Sequence, residues 1–249
     1  MTVPSHHPPG ISEVLDVKNI TEAAMGFDPT FSPHFYVFQL VHVEIKGEHD
    51  VEVVEIYSSE TNKWVLKESG WKPHWAFFCG RYSTFFNGSL HFPTAFDKVA
   101  SVDTGGQSWR VTVVRPGEDD NYDHVFGLLV GHSQGRLLYM DADCWKNVFS
   151  IFVLEDYGRD EWTFRQSISM MDLFGPPNSP RGTDYRVASF HPDGDLVFIY
   201  DGSRERLLSY DMNRREVHVI CDPGEVSWPT WFLPYVPLYS KALVSPNVD

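Results

Sequence analysis

A unit of two short hairpins recurs along this chain, and it limits the fold more than any other feature. The first hairpin of the unit is clearest at Thr84-Phe85-Phe86, Asn87-Gly88 and Ser89 to Phe92. Asn-Gly supplies the positive φ angles that a two-residue hairpin turn needs. Leu128 to Val130, Ser133-Gln134-Gly135 and Leu137 to Tyr139 repeat the pattern, as do Tyr185 to Phe190, Pro192-Asp193-Gly194 and Leu196 to Ile199. The second hairpin is a strand, a polar turn and then an aromatic or β-branched residue. Val54 to Tyr57 leads through Glu60-Thr61-Asn62 to Trp64, and Val99 to Val102 leads through Thr104-Gly105-Gly106 to Trp109. Ile151 to Leu154 leads through Gly158-Arg159-Asp160 to Trp162, and Leu207 to Tyr210 leads through Asn213-Arg214-Arg215 to Val217.

Trp64, Trp109, Trp162 and Val217 fall roughly 50 residues apart, which is the period of a four-stranded propeller blade. The physical reason is burial: one four-stranded sheet cannot cover both its faces, so it stacks on the next. The sequence therefore predicts an all-β, β-propeller-like array of four-stranded antiparallel blades. About four are recognisable, over 27–67, 75–117, 125–169 and 184–220, and the array could be incomplete. Each Trp after an outer turn is expected to pack between neighbouring blades. Residues 1–25 read as an N-terminal tail in which Ile11 to Met25 could hold a short helix. The propeller-like domain then runs over 26–240, with 241–249 as a C-terminal tail. Ser227 to Ser240 carries five aromatics among prolines and could lie across the ring or supply a closing strand.

Composition narrows the function. A formal net charge of −14 repels phosphate backbones and anionic lipid, so neither nucleic acid nor membrane is an expected partner. Cys79, Cys144 and Cys221 form no CxxC pair, which fits a reducing compartment, cytosol or nucleus, and speaks against a zinc knuckle. The histidines show no metal-ligand spacing, and Gly105-Gly106 lacks the strand-to-helix context of a phosphate loop. No cofactor and no metal are expected.

Several elements together resemble the propeller domain of grass F-box proteins. They are Phe27-Asp28-Pro29 with Ser32 to Phe38, Tyr57-Ser58-Ser59-Glu60-Thr61 with Trp64, and Phe86 to His91. Ser133 to Leu137, Leu154 to Gly158 with Trp162, and Ser209 to Met212 with Arg214 to Val217 extend the likeness over roughly residues 20–222. The resemblance implies a non-enzymatic role, the holding of a target protein for a ubiquitin ligase. In that family an N-terminal F-box binds a Skp-type adaptor and cullin. No F-box-like segment precedes the first blade here, so ligase subunits are expected as partners only if an F-box is supplied elsewhere. A truncated paralogue without ligase activity is the alternative. Exposed aromatic and Arg groups dominate interface energies. Trp75, Tyr82 and Arg181, read as lying in loops at one face of the ring, are the candidate protein-binding residues on that ground.

Gly131-His132-Ser133-Gln134-Gly135 also fits the G-x-S-x-G elbow of serine hydrolases, with Asp184 and His218 as conceivable triad partners. The elbow needs a helix directly after Ser133, and Arg136 to Asp141 is short and soon broken by Asp141-Ala142-Asp143. A hairpin turn is the stronger expectation. Paired acids at Asp119-Asp120, Asp141/Asp143 and Glu155-Asp156 could serve a glycosidase only if they met across one cleft; all lie near turns, where Asp is common.

Overall fold

Successive apolar residues on opposite sides of an extended chain ask for burial of the inner strands on both faces, and a stack of sheets meets that demand. A computed structural model of the chain describes residues 20–29, 32–45, 48–68, 82–94, 97–115, 129–143, 146–175 and 185–221. The first sheet holds β1 (Ile20–Gly26), β2 (Tyr36–Ile45), β3 (Glu48–Ser58) and β4 (Lys63–Glu68). The second holds β5 (Thr84–Phe86), β6 (Ser89–Thr94), β7 (Lys98–Asp103) and β8 (Trp109–Val113). The third holds β9 (Leu129–Ser133), β10 (Arg136–Asp143), β11 (Val148–Asp156) and β12 (Glu161–Ser169), followed by one turn of helix, α1 (Met170–Phe174). The fourth holds β13 (Tyr185–Phe190), β14 (Leu196–Asp201), β15 (Arg206–Asp211) and β16 (Glu216–Cys221). Each sheet is a simple antiparallel meander in chain order.

Contacts between sheets run chiefly through first strands: β1 meets β5, β5 and β6 meet β9, and β9 meets β13. The sheets are thus blades whose first strands lie innermost, a propeller-like array. Three apolar clusters fill the gaps. Phe38, Val54 and Ile56 of the first blade pack on Phe85, Leu90 and Phe92 of the second. Val99 and Val114 of the second pack on Leu137, Tyr139 and Phe152 of the third. Met140, Phe149 and Ile151 of the third, with Leu173 and Phe174 of α1, pack on Val197, Ile199 and Tyr210 of the fourth. None of these clusters joins the fourth blade to the first. Trp109, Trp162 and Val217 each pack against the cluster shared with the preceding blade, as the repeat predicts.

The turns repeat as closely as the strands. A residue with positive φ lies in every outer turn: Asn62, Gly106, Asp160 and Arg215. The turn begins with a side chain that accepts backbone N–H groups. Ser58 accepts from Glu60, Asp103 from Gln107, Asp156 from Gly158 and Asp211 from Asn213. Such Asx-type bonds fix the turn locally, without help from the core. Asp97, Asn147 and Glu205, also at positive φ, stand just before the third strands of the last three blades.

The N-terminal boundary needs correction. Residues 20–26 form β1 and not part of a helix; 11–19 lie outside the described residues. Ala-rich Thr21 to Met25 favours helix by propensity, but pairing along the whole of β2, from Ile20↔His42 to Gly26↔Tyr36, overrides it. Gly26 shows why the strand must be slim at its end. A Cβ there would lie 2.5 Å from Phe85 Cδ2 of the next blade. The helix α1, with Ser169 as N-cap and Gly175 at φ 68° as C-cap, was not expected from the sequence.

Candidate functional site

Antiparallel order gives each blade two unlike ends. The turns between first and second strands and between third and fourth strands lie at one end. The turns between second and third strands lie at the other, where the chain also passes to the next blade through 69–83, 114–128 and 170–184.

The tight-turn end is knitted from blade to blade. In the third blade Gln134 and Gly135, at φ 50° and 73°, make a two-residue turn that closes β9 on β10, with Ser133 opposite Arg136. Ser133 is buried, and its hydroxyl donates to the Gly194 carbonyl of the fourth blade at 2.9 Å. The Gln134 N–H donates to Pro192 O at 2.6 Å. Asp195, in the adjoining turn, gathers Arg165 at 2.5 Å, Asn213 at 2.5 Å and Gln134 at 3.5 Å. Burial pushes the Asp195 carboxyl up, but these hydrogen bonds and the Arg165 charge outweigh it and hold it below the usual carboxylate range.

This geometry removes the hydrolase reading of Ser133. No helix follows the turn, the hydroxyl faces a neighbouring blade, and β9 is antiparallel to β10. His218 is exposed on β16, where its ring faces Glu216 at 3.8 Å, and Asp184 lies outside the described residues. The acid pairs resolve into structural roles as well. Asp141 pairs with Arg115, Asp143 with Lys146, Glu155 with Arg136, and Asp156 caps its own turn. Asp119 and Asp120 lie outside the described residues. Among the described residues no group of three acids, histidines or cysteines could hold a metal ion.

Between the second and third blades the polar groups go deeper. His91 is 3% exposed, with Nε2 lying 3.2 Å from Phe86 O and 3.3 Å from the Tyr157 hydroxyl. Burial, aided by the charge of Arg110, lowers its pKa to about 4, so the ring is neutral at pH 7. His132 is hydrogen-bonded to Thr84 Oγ1 at 2.9 Å, and burial lowers its pKa too. Arg110 reaches across the gap to pair with Asp160, donates to Tyr157 O at 2.5 Å and lies over the Tyr157 ring. Trp162 Nε1 donates to Thr112 Oγ1 at 2.9 Å. His91, Arg110, Thr112, Tyr157 and Trp162 help line a cavity with room for no more than a water molecule. Packing leaves no space there for an organic substrate.

At the opposite end of the same gap Asp97 accepts from the Tyr139 hydroxyl at 2.9 Å and is ion-paired with Arg115, whose Nε lies 3.1 Å away. Arg115 also pairs with the fully buried Asp141 and lies over the Phe152 ring. Burial, then the Asp97 charge, pushes the Tyr139 pKa well up, so the phenol stays a donor. Only tertiary contact reveals this network, because its members come from two blades and nothing in their spacing links them.

Of the candidate binding residues, Trp75 and Arg181 lie outside the described residues. Tyr82 is half-buried just before β5 and packs against the cluster shared by the third and fourth blades. Part of its ring therefore supports the core.

No family model matches the chain, and no curated protein matches it. Solved structures do. An oligogalacturonate lyase in complex with manganese is 13% identical with a TM-score of 0.43, over 80% of this chain and 52% of its own. A calcium-binding regucalcin from Agrobacterium tumefaciens is 16% identical with a TM-score of 0.40, over 83% of this chain and 61% of its own. The β-propeller domain of Cps50 (Swd1) from Myceliophteria thermophila is 6% identical with a TM-score of 0.43, over 80% of this chain and 73% of its own. The chain thus spans about half the length of the lyase and three fifths of the regucalcin.

Proposed function

We propose that this chain is a non-enzymatic protein-recognition domain that holds its target at the end of the blades from which the long connectors leave. The difference between the two ends carries this function. Both ends hold clasps between blades, Ser133 to Gly194 and Arg165 to Asp195 at one and Asp97 to Tyr139 at the other. Only the second also carries the connections from blade to blade, after β4, after β8 and after α1. Connectors on a fixed scaffold are where proteins place recognition, because they vary without disturbing the core. Trp75 and Arg181 fall in those connectors and Tyr82 at the base of one.

The finer reading rests on the sequence resemblance. It is a substrate-holding domain like that of an F-box ubiquitin-ligase adaptor, working in the cytosol or nucleus. Skp and cullin subunits join only if an F-box is supplied, and a paralogue without ligase activity would keep the target and lose the transfer. The test is cross-linked affinity capture with the full chain, followed by substitution. Trp75→Ala and Arg181→Ala should lower recovery of the target about tenfold, while Arg159→Ala and Arg214→Ala at the tight-turn end leave it unchanged. The reverse pattern would move the site to the other end. An F-box fused upstream should bring Skp-type adaptor, cullin and ubiquitin transfer to the captured target; capture without transfer would leave a binding module alone.

A further inference from the structure

We propose that the second and third blades part at their tight-turn end as pH falls, before the gap on either side of them yields. This stands independently of the recognition function.

Two imidazoles are buried in that end of the seam. His91 of β6 faces Phe86 O and the Tyr157 hydroxyl, with the charge of Arg110 on β8 acting on it. His132 of β9 faces Thr84 Oγ1. The Phe86 ring lies beside both, its centroid 6.4 Å from that of His91 and 5.6 Å from that of His132. Among the described residues neither imidazole is hydrogen-bonded to a carboxylate. Asp160, in the outer turn of the third blade, is taken up by Arg110. Asp28 and Asp193 act on His132 from the turns of the first and fourth blades and favour its charged form, yet burial outweighs them. His91 has no such acid acting on it, and the charges of Arg110 and His132 both oppose its protonation.

A proton on His91 in the closed seam is therefore cut off from water and set against two like charges. Parting the blades returns the ring to water, where its ordinary pKa of 6.5 applies. The closed seam holds that value down at about 4, so opening binds protons throughout the window between, and acid drives it.

The flanking gaps lack this device. The apolar clusters that fill them contain no histidine. In the fourth blade His191 bonds its own turn, and the Asp195 carboxyl, held below its usual range, keeps the Arg165 clasp in mild acid. At the other end of the same seam Arg115 of the second blade pairs with Asp97 beside it and with Asp141 of the third. The two blades thus swing apart at one end while the other stays tied.

Neighbouring residues of β7 test this, because Ser101 lines the seam to the third blade and Ala100 packs towards the first. Cysteine is placed at Ser101, at Ala100, or at Ala142 in the gap to the fourth blade, all buried positions. Labelling of each by 4,4′-dithiodipyridine is followed by peptide mass spectrometry in the full chain and divided by the rate in urea at the same pH. From about pH 8 to about pH 5.5 the quotient for Ser101→Cys should rise about tenfold, the change that His91 alone supplies. Those for Ala100→Cys and Ala142→Cys should change less than about threefold. Equal rises at all three would mean that the whole fold loosens, and a flat quotient at Ser101→Cys that the seam stays shut; either overturns the proposal. Adding His91→Gln, which keeps a hydrogen-bond donor but does not titrate, should hold the Ser101→Cys rise below about threefold. A rise that stays above that overturns it too, and the contrast among the three cysteines stands whether or not this variant folds.

Discussion

The gap between the second and third blades and the gap between the third and fourth are built from similar strands yet held differently. The latter is a broad hydrocarbon layer, with Phe149, Ile151, Phe174 and Ile199 at its heart and the Asp195 network at one end. The former has a narrower apolar layer, and charged and polar groups enter it at both ends. Arg115 and Asp141 pair beside Tyr139 at one end, and His91 meets Tyr157 at the other. A repeat fixes which strands face each other. It leaves open whether hydrocarbon or buried charge fills the space, and that choice sets how the interface responds to pH and to truncation.

The largest effects should come from cutting each kind of filling. Arg115→Ala leaves the Asp141 carboxylate buried without its partner and should cost about 3–5 kcal/mol in urea unfolding. Joint replacement, Arg115→Met with Asp141→Leu, should recover most of that. Phe149→Ala, at 0% exposure, should cost about 3–5 kcal/mol through the cavity it leaves, and no companion change at a charged site should recover it. If the joint variant rescues nothing, charge pairing is not what fills the second–third gap.

Next in size is the pH response. The His91 pKa falls from 6.5 to about 4 on folding, so between those values the unfolded chain binds more protons than the folded one. Stability is therefore full above about pH 6.5, declines as pH drops towards 4, and levels off below, a loss of roughly 3 kcal/mol from this group. His132, whose pKa is lowered by burial too, acts in the same direction. In His91→Leu the slope of stability against pH over this window should shrink by most of its value. An unchanged slope would place the acid sensitivity elsewhere.

Smaller changes probe the fit of the third–fourth gap. A Cβ on Gly131 would lie 2.6 Å from Phe190 Cδ2, so Gly131→Ala should cost about 1–3 kcal/mol by forcing that ring aside. A thermal shift within error would show that the gap can give. The smallest effect belongs to the exposed pair Arg136–Glu155, 3.3 Å apart. Glu155→Gln should change stability by less than about 1 kcal/mol, and the change should vanish in high salt.

Local chemistry made much of this protein legible from its residues. Asn87-Gly88 marked a hairpin because it accepts positive φ, and Thr104-Gly105-Gly106 and Gly158-Arg159-Asp160 marked outer turns because polar and glycine residues break a run of strand formers. The spacing of Trp64, Trp109, Trp162 and Val217 marked the blades because each of the last three seals a gap to the preceding blade. The first strand was misjudged because Ala-rich Thr21 to Met25 reads as helix until β2 lies beside it. Ser133 carried a hydrolase motif because five residues in a row cannot report whether a helix or a returning strand comes next. The candidate binding residues were chosen by type and place alone, and Tyr82 turned out to lean on a core.

By itself, then, the sequence determined the all-β repeat of about four recognisable blades and most of their turns, all set by interactions within a few residues or by a regular period. Only the tertiary structure decided which carboxylate meets Arg115, that His91 loses its charge, and that Ser133 serves as a clasp. Those outcomes depend on side chains from different blades meeting where water has been expelled, and no pattern within one blade encodes its neighbour's contribution.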